Sequence, residues 1–265
     1  MPSEPFVFPA TNEGFLAQYP VRMRSRYQGP QVEFPDGSKQ VSPAEFRLVH
    51  QWELVYRHLR NEERDRFEAF FFQVECSGSP FLFFDPLGNF LLQSLDLAHP
   101  AWMKNGAMDI TAFTDPDLGE AFVITNNSFD WAMLSQTVGF GYNFFGCFSV
   151  ETKWDSPVSV QLGMTDSLES HKRELKVHEP RRLFVRKRAG AVASTNVSIE
   201  IPPQTQVILA RPQLEIALQP TAFHATGARN GIYQQATLAQ ANYRWISPAP
   251  NVHQITLYVE GSRLA

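Results

Sequence analysis

The segment Phe67–Asn89 constrains the fold more than any other part of the chain. Four apolar residues in it recur at the spacing of one helical face: Phe67, Phe70, Phe71 and Val74. This periodicity predicts an amphipathic helix, with Asn61 as its N-cap and acidic residues in its first turn. A Gly-Ser-Pro break then leads into an aromatic strand, Phe81–Phe84, which ends in an Asp-Pro turn. The segment therefore predicts a helix followed directly by a strand.

Apolar and polar residues alternate just before this helix, from Phe46 to Tyr56. A period of two is typical of a strand with one face in a core. Since neither element is stable with its apolar face exposed, we expect the helix to pack on the sheet that contains this strand.

The order of these elements resembles the N-terminal domain of the distal tail proteins and related tail-tip components of long-tailed bacteriophages and phage-derived particles. The matching elements are the long strand Phe46–His58, the helix Glu62–Val74 and the Phe-rich strand that ends in Asp85-Pro86. The resemblance covers roughly residues 5–92. It implies a structural virion protein at the tail tip, made in the bacterial cytoplasm, that forms a ring between the tail tube and the baseplate or host-adsorption apparatus.

The same resemblance implies the partners. The ring would be a homo-oligomer, a hexamer or else a trimer, in contact with the tail-tube protein and with baseplate hub proteins. The family carries no catalytic signature, so the resemblance transfers no catalytic residue.

From about Ser94 onward, short strand patterns alternate with turns, which favours a sandwich or jelly roll. This region resembles the carbohydrate-binding-like jelly-roll modules of phage tail and fibre proteins. The matching residues are Gln213-Leu-Glu215, Pro220-Thr221, Phe223 and Thr226, and the fit departs just after Glu215. The resemblance covers roughly residues 93–228.

The predicted fold class is therefore mainly β: an N-terminal β-sandwich or barrel with one packed helix, followed by a β jelly roll. We expect a ring-forming domain at 1–92, the jelly roll at 93–228 and C-terminal strands at 229–265. Two of those last strands are predicted at Tyr243–Ile246 and Gln254–Val259. They either cap the jelly roll or return to the N-terminal sheet, and the return is favoured.

Length, charge and hydropathy argue against some classes of function. The 265 residues suffice for two domains, and a net charge of −4 gives no general attraction to nucleic acid or to anionic membranes. No apolar run approaches the ~20 residues that span a bilayer, and no signal peptide is evident. Cys76 and Cys147 are expected to be free thiols. We therefore expect neither nucleic-acid binding nor membrane insertion.

Signatures of catalysis and cofactor binding are missing from the sequence. It has no His-Glu-x-x-His motif, no nucleophile elbow and no phosphate loop, and Gly139-Phe-Gly141 lacks the third glycine of a dinucleotide fingerprint. Asp115, Asp117 and Glu120 have oxygens that suit calcium, but Asp-Pro-Asp-x-Gly is more typical of a turn. We predict no catalytic, metal or cofactor site, and no enzyme.

Two groups of residues are candidates for binding. Flat aromatic rings suit the apolar face of a sugar, and core packing is the alternative for each of Trp102, Trp131, Tyr142 and Trp154. Arginines at alternate positions share one face of a strand and suit either solvent or a subunit interface: Arg22, Arg24 and Arg26. The alternative function is therefore a glycan-binding protein of the tail that acts in host adsorption and contacts a cell-surface glycan.

Overall fold

The structure is a computed structural model that describes residues 6–29, 31–41, 47–141, 143–153, 158–177, 181–190, 194–240 and 242–264. The chain divides into two units. Unit 1 comprises Met1–Phe84 with Tyr233–Ala265, and unit 2 is Asp85–Ile232. Residues from both ends of the chain thus belong to one unit, and the other unit is an insertion.

The strands and the helix follow one another along the chain. The first part contains β1 (Phe6–Val7), β2 (Arg22–Gln28), β3 (Gln31–Glu33), β4 (Lys39–Val41), β5 (Arg47–Leu59), α1 (Asn61–Ser77) and β6 (Phe81–Phe84). Unit 2 contains β7 (Met103–Asn105), β8 (Met108–Asp115), β9 (Gly119–Asn126), β10 (Ala132–Val138), β11 (Phe145–Lys153), β12 (Val158–Thr165), β13 (Ser170–Val177), β14 (Arg181–Arg188), β15 (Thr195–Ile201) and β16 (Thr205–Ile216). The chain ends with β17 (Ile232–Leu238), β18 (Ile246–Ala249) and β19 (Val252–Leu264).

Unit 1 is built on a seven-stranded sheet in the order β1-β6-β17-β19-β5-β2, with β18 paired to β19. The alternation predicted for the long strand is present in β5, where Trp52, Leu54 and Tyr56 are fully buried. Phe46, where the predicted strand began, lies outside the described residues.

Helix α1 packs as its periodicity predicted. The four stripe residues Phe67, Phe70, Phe71 and Val74 are all buried. The rings of Tyr56 and Phe67 are 5.0 Å apart, which joins the helix to the inner face of β5. The helix ends at Gly78, whose φ of 59° gives the left-handed C-cap that glycine adopts most easily.

The predicted N-cap of this helix is wrong by one residue. Arg60 is the N-cap, and the Glu63 carboxylate accepts hydrogen bonds from the backbone N–H of Arg60 at 2.9 Å and of Asn12 at 2.7 Å. Asn61 is already helical, and its side-chain oxygen bonds the ring of His253 at 2.7 Å. The Asn61 side chain, which local preference assigns to the N-cap, thus makes a tertiary hydrogen bond to His253 instead.

The C-terminal strands lie in the sheet of unit 1, because β19 pairs with β5 over most of its length and β17 pairs with β19. The strand predicted at Tyr243–Ile246 is wrong, since the extended pairing begins only at Ile246. Strand β17 was not predicted. The units meet at residues 84–85 and 232–233, whereas the sequence placed boundaries at 93 and 228.

Unit 2 contains two five-stranded sheets. We name the β13-β12-β15-β10-β7 sheet the front sheet and the β14-β11-β16-β9-β8 sheet the back sheet. Fully buried apolar side chains fill the space between them, including Leu134, Leu162 and Ile199 from the front and Phe148 and Leu209 from the back. The predicted fold class, mainly β with one packed helix and a jelly-roll unit, is confirmed.

In the part of the chain that the structure describes, no helix combines the length and apolarity that a membrane span requires.

Candidate functional site

The four aromatic residues proposed as sugar platforms have different environments. Trp102 is 1 % exposed, and its indole N–H donates to the carbonyl of Gln93 at 3.2 Å. Its prediction as a stacking platform is wrong, because a sugar cannot reach a core side chain. Trp131 is 42 % exposed. Tyr142 and Trp154 lie outside the described residues.

Trp131 directly precedes β10, at the border of the outer face of the front sheet. The backbone register identifies that face: Ser135 pairs with Ser198, and Ser198 pairs with Gly163. Because side chains alternate across a strand, these residues point away from the core that Leu134 and its neighbours fill. Trp131 has the same parity as Met133 and Ser135, so an extended backbone directs it to the outer side.

Hydroxyl and amide side chains dominate this outer face. Its described members in β10, β15, β12 and β13 are Met133, Ser135, Thr137, Asn196, Ser198, Glu200, Ser159, Gln161, Gly163, Thr165, Ser170, Lys172 and Glu174. The amide of Asn196 donates to the hydroxyl of Thr137 at 3.1 Å. The one close ion pair described on this face joins Lys172 to Glu200 at 2.6 Å, which leaves the pair neutral overall.

Small residues keep the centre of the face low. Ser135 and Ser198 are only 2 % and 3 % exposed although they point outward. A Cβ atom built on Gly163 would lie 2.4 Å from the Ser198 hydroxyl oxygen, so a larger residue at 163 would displace Ser198. The centre of the face is therefore formed by short side chains, and Trp131 lies at the start of β10.

A buried asparagine fixes the loop that leads to Trp131. The Asn126 side chain is 1 % exposed, and its amide donates to the carbonyls of Asp130, Ile201 and Pro202 at 2.8–3.0 Å. Its oxygen accepts the backbone N–H of Ser128 at 2.9 Å. The loop also presents Phe129, which is 89 % exposed.

Phe129 was missed by the sequence analysis. The Asn126 side chain makes five hydrogen bonds that hold this loop, and the loop still exposes two aromatic rings. Exposed aromatic rings on a fixed loop are typical of a binding surface, because leaving an apolar ring in water forgoes the free energy of burial. The Asn126-Asn127 pair was predicted as a turn, and the aromatic residue three positions after Asn126 was the available signal.

Two parts of the outer face of the back sheet are covered by the unit's own residues. Leu118 packs there on Ala121 and Ala210, against Phe113 and Ile208. Further along, the Glu215 carboxylate accepts hydrogen bonds from the Thr221 backbone N–H at 2.9 Å and from its hydroxyl at 2.5 Å.

The Asp115–Gly119 segment on that side is a turn. The Asp115 carboxylate accepts the backbone N–H groups of Leu118 and Asp117, and these bonds together with Lys153 hold the pKa of Asp115 below its usual value. Lys153 lies 3.3 Å from Asp115 and 2.6 Å from Asp117. A cation ligated by these oxygens would have to displace the lysine. Among the described residues, no three potential metal ligands cluster.

Cys147 is a buried free thiol on the same sheet. Burial, and secondarily the charge of Glu215, raises the pKa of this thiol to about 12, so it stays protonated near neutral pH. The side chain of Cys76 lies outside the described residues.

Arg22, Arg24 and Arg26 lie in β2 of unit 1. Every residue of this strand is exposed. Arg22 lies 3.5 Å from Glu53 and Arg26 lies 3.0 Å from Glu260. The three arginines therefore share the face that their alternation predicted, and they remain open to solvent.

No family model matches the chain, and no curated protein matches it. Among solved structures, similar folds occur in the enzymatically active domain of bacteriophage CBA120 tailspike protein 4 (TM-score 0.40, 10 % identity, 51 % of this chain and 22 % of that one). They also occur in the CBM22-1–GH10 modules of Clostridium thermocellum xylanase 10B complexed with xylohexaose (TM-score 0.39, 14 % identity, 54 % and 30 %). A third example is the CBM22-1 xylan-binding domain of Paenibacillus barcinonensis Xyn10C (TM-score 0.39, 10 % identity, 54 % and 98 %).

The chain spans less than a third of the length of the first two of these structures. At this level of similarity the matches carry no inference about activity.

Proposed function

We propose that unit 2 binds carbohydrate on the outer face of the front sheet, with Trp131 as the stacking platform. The observation that carries the proposal is the exposed indole of Trp131, directly before β10, on a sheet whose outer face carries hydroxyl and amide groups. A pyranose ring has an apolar face that packs on an aromatic ring, and hydroxyls that can exchange hydrogen bonds with the accessible groups of this face, such as Thr137, Asn196 and Gln161.

The electrostatics of the face favour a neutral sugar over a charged one. Lys172 and Glu200 neutralise each other, Glu174 adds a negative charge, and Ser135, Ser198 and Gly163 carry no charge. A sugar carboxylate or phosphate would lose its hydration there, and among the described side chains of the face it would meet no unpaired cation.

Titration calorimetry with the full-length protein tests the proposal. The panel contains xylohexaose and neutral oligosaccharides prepared from bacterial surface polysaccharides. We expect Trp131→Ala to weaken binding by about tenfold or more, equivalent to about 1.4 kcal/mol, because it removes the stacking surface. Trp131→Phe retains a flat ring and should restore part of the affinity.

The matched control is Phe72→Ala, which removes another exposed aromatic ring, in unit 1. It should leave sugar affinity unchanged. The proposal is rejected if no oligosaccharide of the panel binds, or if Trp131→Ala binds as tightly as the unmodified protein.

A second candidate function is a structural role in the virion. In this role the chain is a tail-tip component of a phage or phage-like particle, in which unit 1 forms a ring of six or three copies between tail tube and baseplate hub. The exposed edge strand β2 supports an assembly role, because a free strand edge is a surface on which another chain can add. Neither function is catalytic.

Mass measurement of the protein alone and with the tail-tube protein, together with images of the assembled particle, tests this second function. Six or three copies at the tube end would support it. A single copy, or a position on a peripheral fibre, would leave only the carbohydrate-binding function.

A further inference from the structure

Strand β2 ends the sheet of unit 1 and pairs only with β5 in the described structure. The register between them is unbroken over seven residue pairs, from Arg22↔Glu53 to Gln28↔Arg47. Proteins usually protect such an edge with proline, a bulge or a covering segment, and residues 22–28 contain no proline and no bulge. In the described part of the chain, no strand pairs with the outer edge of β2.

The two sides of β2 differ in chemistry. Arg22, Arg24 and Arg26 share one side, while Met23 and Tyr27 on the other are 43 % and 73 % exposed. A strand added beside β2 would place alternate side chains next to these two sets.

Acidic neighbours neutralise the arginines of β2 only in part. Arg22 and Arg26 contact Glu53 and Glu260, yet their side chains remain 72 % and 59 % exposed. Arg24 has no acidic partner among the described residues. A depression of about 360 Å³ lined by Arg22, Arg24 and Glu53 leaves room for carboxylates on this side.

We propose that β2 receives an extended segment of a different protein, in which acidic residues alternate with apolar ones. The acidic side chains would pair with Arg22, Arg24 and Arg26, and the apolar side chains would cover Met23 and Tyr27. Backbone hydrogen bonds along the edge supply affinity, and the alternation supplies register. The proposal names a partner surface for the structural role of unit 1 and does not depend on sugar binding by unit 2.

A second copy of the chain does not offer a matching strand among the described sheet edges. Edge strands β13 and β14 are rich in Lys and Arg, and β1, β7 and β18 carry no acidic residue. Strand β8 has two acidic residues, Asp109 and Asp115, six positions apart, which is wider than the spacing of the three arginines. In the two-stranded sheet, β3 has a single acidic residue and β4 has none. The described edges of a second copy thus lack alternating acidic residues, which favours a segment of another protein.

A fluorescent peptide of alternating Glu and Val, roughly eight residues long to match β2, tests the proposal by anisotropy with the full-length protein. One control peptide alternates Lys and Val, and another has the same Glu and Val content in two separate blocks. The variants are Arg24→Glu and, as a matched control, Arg229→Glu, which reverses the charge of another exposed arginine. Circular dichroism and thermal melts of both variants verify folding.

We expect the alternating Glu peptide to bind the unmodified protein and Arg229→Glu equally, and Arg24→Glu at least about tenfold more weakly, because like charges then meet. Affinity should fall with added salt. The Lys peptide and the block peptide should bind more weakly than the alternating Glu peptide.

Three results would overturn the proposal: no binding of the alternating peptide up to about 1 mM, equal binding of the block peptide, or unchanged affinity in Arg24→Glu. Sedimentation adds a fourth, since self-association that Arg24→Glu abolishes would assign the edge to a second copy. Sugar binding should be unaffected by Arg24→Glu, so failure of this proposal is distinguishable from failure of the carbohydrate function.

Discussion

Phe71 and Phe72 are neighbours in helix α1, but only Phe71 is buried. Comparing the stability of Phe71→Ala with that of Phe72→Ala therefore isolates the contribution of burying a phenyl ring. Phe71 is fully buried, and its ring lies 4.3 Å from that of Tyr243 and 5.9 Å from that of Phe70. Phe72 is 69 % exposed. Both positions are inside the helix, so both substitutions change helix propensity by the same amount.

The expected cost follows from the buried area. A phenylalanine that buries about 150 Å² contributes about 4 kcal/mol at about 25 cal/mol per Å². Loss of the ring pairs adds to this cost and partial collapse of the cavity reduces it, so we expect Phe71→Ala to destabilise unit 1 by about 3–5 kcal/mol. Phe72→Ala should change stability by less than about 0.5 kcal/mol.

Native-state hydrogen exchange of peptides that cover residues 61–77 is the suitable measurement. A single unfolding free energy is not defined for a chain with two units, whereas exchange reports the opening of this helix directly. A difference below about 1 kcal/mol between the two variants would refute the packing of α1 on the sheet.

Two further predictions concern unit 2 and the junction. Burial opposes ionisation of Asp166, yet hydrogen bonds from Lys187 and three backbone N–H groups hold its pKa well below its usual value. The stability that Asp166 contributes is therefore present above about pH 4 and is lost as pH falls through the lowered pKa. Asp166→Asn should lower the urea midpoint at pH 7 and make the midpoint less sensitive to acid, and an unchanged pH dependence would contradict this. Removal of residues 85–232, with Phe84 joined to Tyr233 by a short Gly-Ser linker, should leave a folded, soluble unit 1. Its near-ultraviolet circular dichroism should retain the signal of Trp52, whose ring lies 4.9 Å from that of Phe83 and 4.7 Å from that of Tyr233. An aggregated or unfolded product would show that unit 1 needs the insertion.

Local periodicity explains which parts of the fold were predictable. The stripe Phe67–Val74 and the alternation in β5 each lie within one element, and burial of one face is a direct consequence of a period of 3.6 or 2. Strand β17 (Ile232–Leu238) escaped prediction because its two central glutamines interrupt the alternation, and its place in the sheet depends on pairing with the distant β19.

The candidate site was only partly predictable, because the exposure of a side chain depends on its tertiary contacts. Trp102 and Trp131 are the same residue type in the same strand-rich region, and the sequence does not distinguish them. Trp102 is buried beside the carbonyl of Gln93, whereas the hydrogen bonds of Asn126 hold the loop before Trp131 at the surface. Both outcomes depend on tertiary packing, which residue type alone does not encode.

The insertion of unit 2 explains how one chain can combine the two proposed functions. The two ends of the inserted unit are hydrogen-bonded to each other: the N–H of Asp85 donates to the carbonyl of Gly231 at 2.8 Å, and the N–H of Gly231 donates to the carbonyl of Asn89 at 2.7 Å. A Cβ on Gly231 would lie 3.1 Å from the Gly88 Cα, so glycine permits this approach. Because each unit packs its own core, we expect substitutions on the front sheet to leave β2 unaltered. The two proposed functions could thus vary independently.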